Sequence, residues 1–109
     1  MVTLKEVEEA TKNFAESLYY TYFLWYYATP TAEMLSSPFR HEYLQDMDTL
    51  GHEFEDKLKG ITSFDLATPK GRDVMKDYAV KFWQLWKGYR NKITEWKMER
   101  AKKKLTEVV

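Results

Sequence analysis

The chain has 109 residues, 44% apolar, 31% charged and 17% aromatic, with 17 basic and 17 acidic side chains that cancel. That is the length of one domain, and the apolar fraction suits a folded chain rather than a disordered one. The absence of cysteine excludes disulfides, Cys-ligated zinc, iron–sulfur clusters and thiol nucleophiles, and the scarcity of Gly (4) and Pro (3) disfavours turn-rich β architectures and linkers.

The first predicted element begins at Thr3-Leu4-Lys5-Glu6. This is a capping box, with Val2 and Val7 placed as a hydrophobic staple around it. The helix runs from Leu4 to about Ala28. Leu4, Val7, Phe14, Leu18, Tyr22 and Trp25 follow a 3–4 spacing and read as its core-facing stripe. From Leu18 to Tyr27 the segment is apolar or aromatic on every side, the pattern of a helix covered all round. A short bundle has few places to cover it, so Tyr19, Tyr20, Tyr22, Phe23, Trp25, Tyr26 and Tyr27 are expected to form an interface between copies. Tyr and Trp also suit lipid headgroups, and aromatic rings stack on bases, so both contacts stay open for this block.

All three prolines follow Ser or Thr: Thr29-Pro30, Ser37-Pro38 and Thr68-Pro69. Ser or Thr accepts an orphan backbone N–H as N-cap, and proline fits the next position because it needs no N–H there. These pairs predict a short helical turn over 30–36, a helix from Pro38 to about Lys59 and a helix from Pro69 to about Leu105. The second long helix carries the stripe Phe39, Tyr43, Met47, Leu50, Phe54 and Leu58, and Gly60 reads as its stop. The link from Gly60 to Thr68 reads as a loop. The third carries Met75, Tyr78, Ala79, Phe82, Leu85, Trp86, Tyr89, Ile93 and Trp96. Nothing alternates with period two for long enough to propose a strand. The expected fold is all-α: an antiparallel, four-helix-bundle-like domain over 1–109, with three main helices, one short one and a basic helical extension at about 97–105.

Charge is segregated along the chain. Residues 1–66 hold 5 Lys/Arg and 12 Asp/Glu, and residues 67–109 hold 12 and 5. The densest basic run is Lys97-Met98-Glu99-Arg100-Ala101-Lys102-Lys103-Lys104. It complements the dipole of the last helix, and it also suits phosphate contact. Lys97, Arg100, Lys103 and Lys104 are the candidate nucleic-acid-binding residues, expected to touch the backbone of double-stranded DNA without reading its sequence.

Catalytic signals are thin. His41, Asp48, His52 and Glu55 fall on one helical face, a donor set that a transition metal accepts. They also read as a solvated face, and their spacing matches no zinc signature. Recurrent carboxylate pairs such as Glu8/Glu9 read as charged faces rather than acid–base dyads. No Gly-x-Ser-x-Gly elbow or glycine-rich phosphate loop occurs. Lys70-Gly71-Arg72 opens the last helix, where an anion can sit. No enzyme activity, metal, cofactor or small-molecule substrate is expected. No apolar run reaches the ~18 residues of a membrane span, and the N-terminus lacks the basic start of a signal peptide.

Asn and Gln number only four (Asn13, Asn91, Gln45, Gln84), while Lys and Glu are plentiful, a depletion of labile residues seen in proteins of hyperthermophiles. With the Tyr/Trp-rich, Cys-free chain, the proline-started helices at 30, 38 and 69 and the long basic last helix, the profile over about residues 3–105 resembles the helix-bundle coat proteins of filamentous viruses of hyperthermophilic archaea. The resemblance implies a self-assembling four-helix-bundle subunit that contacts double-stranded DNA, with a lipid envelope as a further contact. The virion or the cytoplasm is the expected location. The sequence therefore reads first as a structural, assembling protein that packages nucleic acid. The alternative is a small adaptor or regulator that binds another protein through the aromatic surface of its first helix.

Overall fold

Local capping chemistry sets where each helix begins. The computed structural model describes residues 1–59 and 66–108, of which 87% are helical and none lies in a strand. The order is α1 (Leu4–Ala28), α2 (Ala32–Leu35), α3 (Arg40–Lys59) and α4 (Pro69–Val108). Thr3 caps α1 by accepting the Glu6 N–H at 3.2 Å, and its carbonyl accepts the Val7 N–H. Thr68 caps α4 in the same way, accepting the Gly71 N–H on its hydroxyl at 3.1 Å and the Arg72 N–H on its carbonyl.

The two middle starts differ from the sequence expectation. Thr31, not Thr29, caps the short helix, through the Met34 N–H. Pro30 precedes that cap instead of occupying the first helical position. Ser37 accepts the Phe39 N–H on its hydroxyl and donates that hydroxyl to the Met34 carbonyl, so it ties α2 to the start of α3. Pro38 and Phe39 form a turn, and α3 begins at Arg40. The Ser/Thr–Pro signal located both junctions; which hydroxyl caps was decided by the tight α2–α3 corner. Gly60 and most of the expected 60–68 loop lie outside the described residues, and Leu66–Thr68 form the turn before α4.

Partner pairs give the chain directions. Arg72 meets Asn13 and Tyr27 meets Trp86; both members advance together, so α1 and α4 run parallel. Tyr78 meets Glu53 and Phe54, Tyr89 meets Asp46 and Tyr43, and Lys92 meets Glu42; α3 therefore runs antiparallel to α4. The bundle goes up, down and up, with α1 and α4 as adjacent parallel neighbours.

Among the described residues, two apolar clusters fill it. Leu24, Met75, Tyr78, Ala79 and Phe82 form one, joined by Met47, Leu50, Phe54 and Leu58 of α3. Met34, Tyr43, Tyr89 and Ile93 form the other, under α2 and the start of α3. The expected stripes of α3 and α4 thus face inward. The stripe of α1 does not: Leu4, Val7, Phe14, Leu18, Tyr22 and Trp25 are all exposed, and the face that packs is Asn13, Ser17 and Leu24. Leu24 lies about 120° around the helix from Leu18.

Polar partners from distant sequence explain that inversion. The Ser17 hydroxyl donates to the Leu66 carbonyl at 2.6 Å, and Arg72 donates to Asn13 Oδ1 at 2.9 Å while its guanidinium also lies 3.5 Å from Glu16. Buried polar groups are tolerated when so satisfied. The pair pins the N-terminal end of α4 onto α1.

The molecule is a flat rod, 78 × 25 × 16 Å, with a radius of gyration of 19.6 Å, against ~13 Å for a compact domain of this length. Much of the excess is α4, which outruns its neighbours. Beyond Trp96 it continues to Val108, with residues 97–107 exposed, and projects by ~18 Å at 1.5 Å per residue.

Candidate functional site

Two features stand out as exposed among the described residues: the outer face of α1 and the projecting end of α4.

The outer face of α1 spans nearly the whole helix, from Leu4 (76% exposed) to Trp25 (64% exposed). Thr11 also lies on this line, and its hydroxyl is turned back onto the Val7 carbonyl at 2.8 Å. That bond hides the hydroxyl's donor and leaves the methyl as the more apolar part of the residue. Val2, Val7, Ala10, Phe14 and Ala67 line a shallow apolar depression at the N-terminal end. This face is the apolar stripe read in the sequence, placed on the outside instead of the core.

The aromatic residues divide between two environments. Tyr19, Tyr22, Trp25 and Tyr26 are exposed, whereas Tyr20, Phe23 and Tyr27 are half-buried against α4. Tyr19 packs edge-on to Phe23 at 4.7 Å, Phe23 stacks on Tyr27 at 6.0 Å, and Tyr27 meets Trp86 at 5.3 Å. Such offset and edge-to-face pairs add to simple burial. The rings form one wall of an open groove of about 230 Å³, whose other wall is Ala79, Val80 and Trp83 of α4. Val80 and Trp83 lay outside the sequence expectation. Their signal was present as apolar residues off the main α4 stripe, but their juxtaposition with Tyr19 depends on α1 and α4 being parallel neighbours.

The basic extension is built along one helix. Lys97, Arg100, Ala101 and Lys104 line one continuous face of it. Lys97 is paired with Glu33 of α2, and the Arg100 guanidinium sits over the Trp96 ring at 4.8 Å, a cation–π contact that orients it. Lys103 lies about 60° around the helix from Arg100, on the flank of this face. Arg100, Lys103 and Lys104 are all exposed.

The remaining sequence candidates do not converge. His41, Asp48, His52 and Glu55 are all exposed on α3. His52 Nδ1–H donates to the Asp48 carbonyl at 2.8 Å and lies 3.5 Å from its carboxylate; that hydrogen bond, and then the nearby negative charge, hold the imidazole above its usual pKa. Among the described residues no three His, Asp or Glu side chains come together as a metal site. Arg72 of the Lys70-Gly71-Arg72 segment is turned onto Asn13, Glu16 and Asp73.

Three phenols of the expected α3 and α4 stripes are buried. Tyr89 donates to Asp46 at 2.5 Å, and burial together with that carboxylate raises its pKa far above the usual phenol range. Tyr78 is raised by burial and by Glu53. Tyr43 is raised by burial, and its hydroxyl is buried with no hydrogen-bond partner. These groups sit in the α3–α4 seam, where burial favours their neutral forms.

No helix among the described residues is long and apolar enough to cross a membrane. No family model, curated protein or solved structure matches the chain.

Proposed function

We propose that this protein is a non-enzymatic structural subunit that assembles with copies of itself. The observation that carries the reading is the uncovered apolar face of α1, Leu4 through Trp25. Continuous apolar surface of that length on a folded chain marks an interface. It lies on a rigid helix, pinned by the Asn13–Arg72 and Ser17–Leu66 bonds, so it is presented without an ordering cost on docking.

The basic extension supports a second contact in the same role, with the phosphate backbone of nucleic acid. Arg100 and Lys104 project free of the bundle on one face, with Lys103 beside them. A coat or DNA-packaging subunit, the form implied by the profile resemblance, needs both contacts. A protein-binding adaptor needs only the first.

Sedimentation of the wild-type chain over a concentration series tests the assembly. The chain should associate, and a Leu18→Glu/Tyr22→Lys variant should stay monomeric with unchanged helicity. A wild-type monomer at the highest soluble concentration would end the structural reading and leave the adaptor. A DNA titration at several salt concentrations tests the second contact. Replacing Arg100, Lys103 and Lys104 by Ala should weaken binding uniformly across sequences and flatten the slope of log affinity against log salt by about 2.7, at ~0.9 per phosphate contact. Absence of salt-dependent binding by the wild-type chain refutes DNA packaging.

A further inference from the structure

The α1 face carries information about how a second copy would lie on it. Leu4, Val7, Thr11, Phe14, Leu18, Tyr22 and Trp25 are spaced almost palindromically. Read from either end, seam residues fall at the same heights: Leu4 with Trp25, Val7 with Tyr22, Thr11 with Leu18, and Phe14 with its neighbour Ala15. On a 100° wheel the two members of the outer pairs also fall on opposite sides of the stripe's midline. Two α1 helices laid antiparallel about Phe14 therefore interdigitate at each level instead of meeting head-on, the geometry that knobs-into-holes packing needs.

Charge selects the same direction. The first half of α1 is charged (Lys5, Glu6, Glu8, Glu9, Lys12, Glu16), and residues 17–32 hold no charged side chain. A parallel pair would set each Glu6–Glu9 segment beside its own copy, a like-charge arrangement that disfavours association. An antiparallel pair sets each charged half beside the partner's neutral aromatic half and opposes the two helix dipoles. The available surface is also adequate. Eight exposed large side chains, the seam residues other than Thr11 with Tyr19 and Tyr26 beside them, contribute on the order of 100 Å² each, near the ~800 Å² per partner of a standard interface.

We infer that the outer face of α1 docks a second copy of this chain as a two-fold antiparallel dimer, in the register that places Thr11 beside the partner's Leu18. The inference rests on the self-assembly reading above and adds its partner face, direction and register. Because α4 runs parallel to α1 and outreaches it, this arrangement sends the two basic extensions to opposite ends of the dimer. Their starts at Lys97 would stand about 70 Å apart along the helix axis.

The absence of cysteine makes disulfide mapping clean. Thr11→Cys and Leu18→Cys variants, one carrying an affinity tag, are mixed, equilibrated and mildly oxidised, with untreated wild type sized alongside. The expected result is a mixed 11–18 cross-linked dimer identified by mass, with little cross-linking in either variant alone. In this register two Thr11 positions lie about 10 Å apart along the axis, beyond disulfide reach. Efficient cross-linking of Thr11→Cys by itself would show a parallel pair or a register centred on Thr11, and either overturns the inference while leaving self-assembly intact. A wild-type dimer with no cross-link in any mixture would place the interface elsewhere and overturn it too. A monomeric wild type would remove the assembly reading itself. Nitroxide labels at Lys5→Cys, a substitution outside the seam, give an independent reading: an axial separation of about 28 Å is expected, and a much shorter distance would refute the antiparallel direction.

Discussion

Replacing Leu24 and Leu18 by Ala, one at a time, tests which face of α1 holds the bundle together. Both changes remove the same atoms from the same helix, and both have the same effect on helix propensity, so the difference between them reports burial alone. Leu24 is 3% exposed and contacts the Met75–Phe82 cluster. Its truncation leaves a cavity among α1, α3 and α4 and should cost about 3 kcal/mol, within the usual 2–5 kcal/mol for buried Leu→Ala. Leu18 is 48% exposed, so about half of its transfer free energy is already forgone, and its truncation in the monomer should cost under about 1 kcal/mol. Urea unfolding followed by circular dichroism measures both, run first at a dilution where the chain is monomeric. The cost of Leu18→Ala should then grow with protein concentration, while that of Leu24→Ala stays constant, since only the former side chain becomes buried on association. Equal costs at high dilution would mean that α1 is rotated and the Leu4–Trp25 stripe is core after all.

Tyr43→Phe should stabilise the protein by about 1 kcal/mol, because it removes a buried hydroxyl without a partner, whereas Tyr89→Phe should cost about 1–2 kcal/mol by breaking the bond to Asp46; denaturant midpoints that rank them in the opposite order contradict the seam described here. Gly88→Ala should raise stability by up to about 1 kcal/mol, since Gly88 sits in the middle of α4 and a Cβ there meets nothing within 4 Å; a lower melting temperature would show that α4 needs flexibility at that point. Stability should fall as pH rises above about 10, where unfolded tyrosines ionise. Tyr43, Tyr78 and Tyr89 are held protonated above that value in the folded chain, so the folded state binds more protons there and the stabilisation is lost with rising pH. Asp46→Asn should soften this alkaline loss, and a stability profile flat to well above that pH would count against the buried phenols. For His52, a proton-NMR titration should give a pKa above the ordinary histidine value, and Asp48→Asn should remove only part of the shift because the backbone carbonyl of residue 48 remains.

Chain-local chemistry was legible without the fold. Thr3 and Thr68 stand where a capping hydroxyl is needed, and the 3–4 spacing in α3 and α4 placed Tyr43, Tyr78, Phe82, Tyr89 and Ile93 inside. The thinning of apolar residues after Trp96 announced that α4 would leave the bundle before it ended. These features depend on neighbours within a turn or two, so periodicity and propensity carry them.

The orientation of α1 depended on residues far away. Its strongest apolar stripe and its packed face are different faces, and periodicity favours the first. Tertiary structure chose the second because Leu66 and Arg72 supply hydrogen-bond partners to Ser17 and Asn13 across 49 and 59 positions, turning two polar residues into acceptable core. Parallel alignment with α4 then formed the Tyr19–Trp83 groove, and the α2–α3 corner moved two helix starts by a residue or two. The sequence alone determined that the chain is helical, where its basic end lies and which residues are apolar; only the packing decided that the apolar face of α1 would be left exposed, since partner hydrogen bonds between remote segments leave no periodic trace.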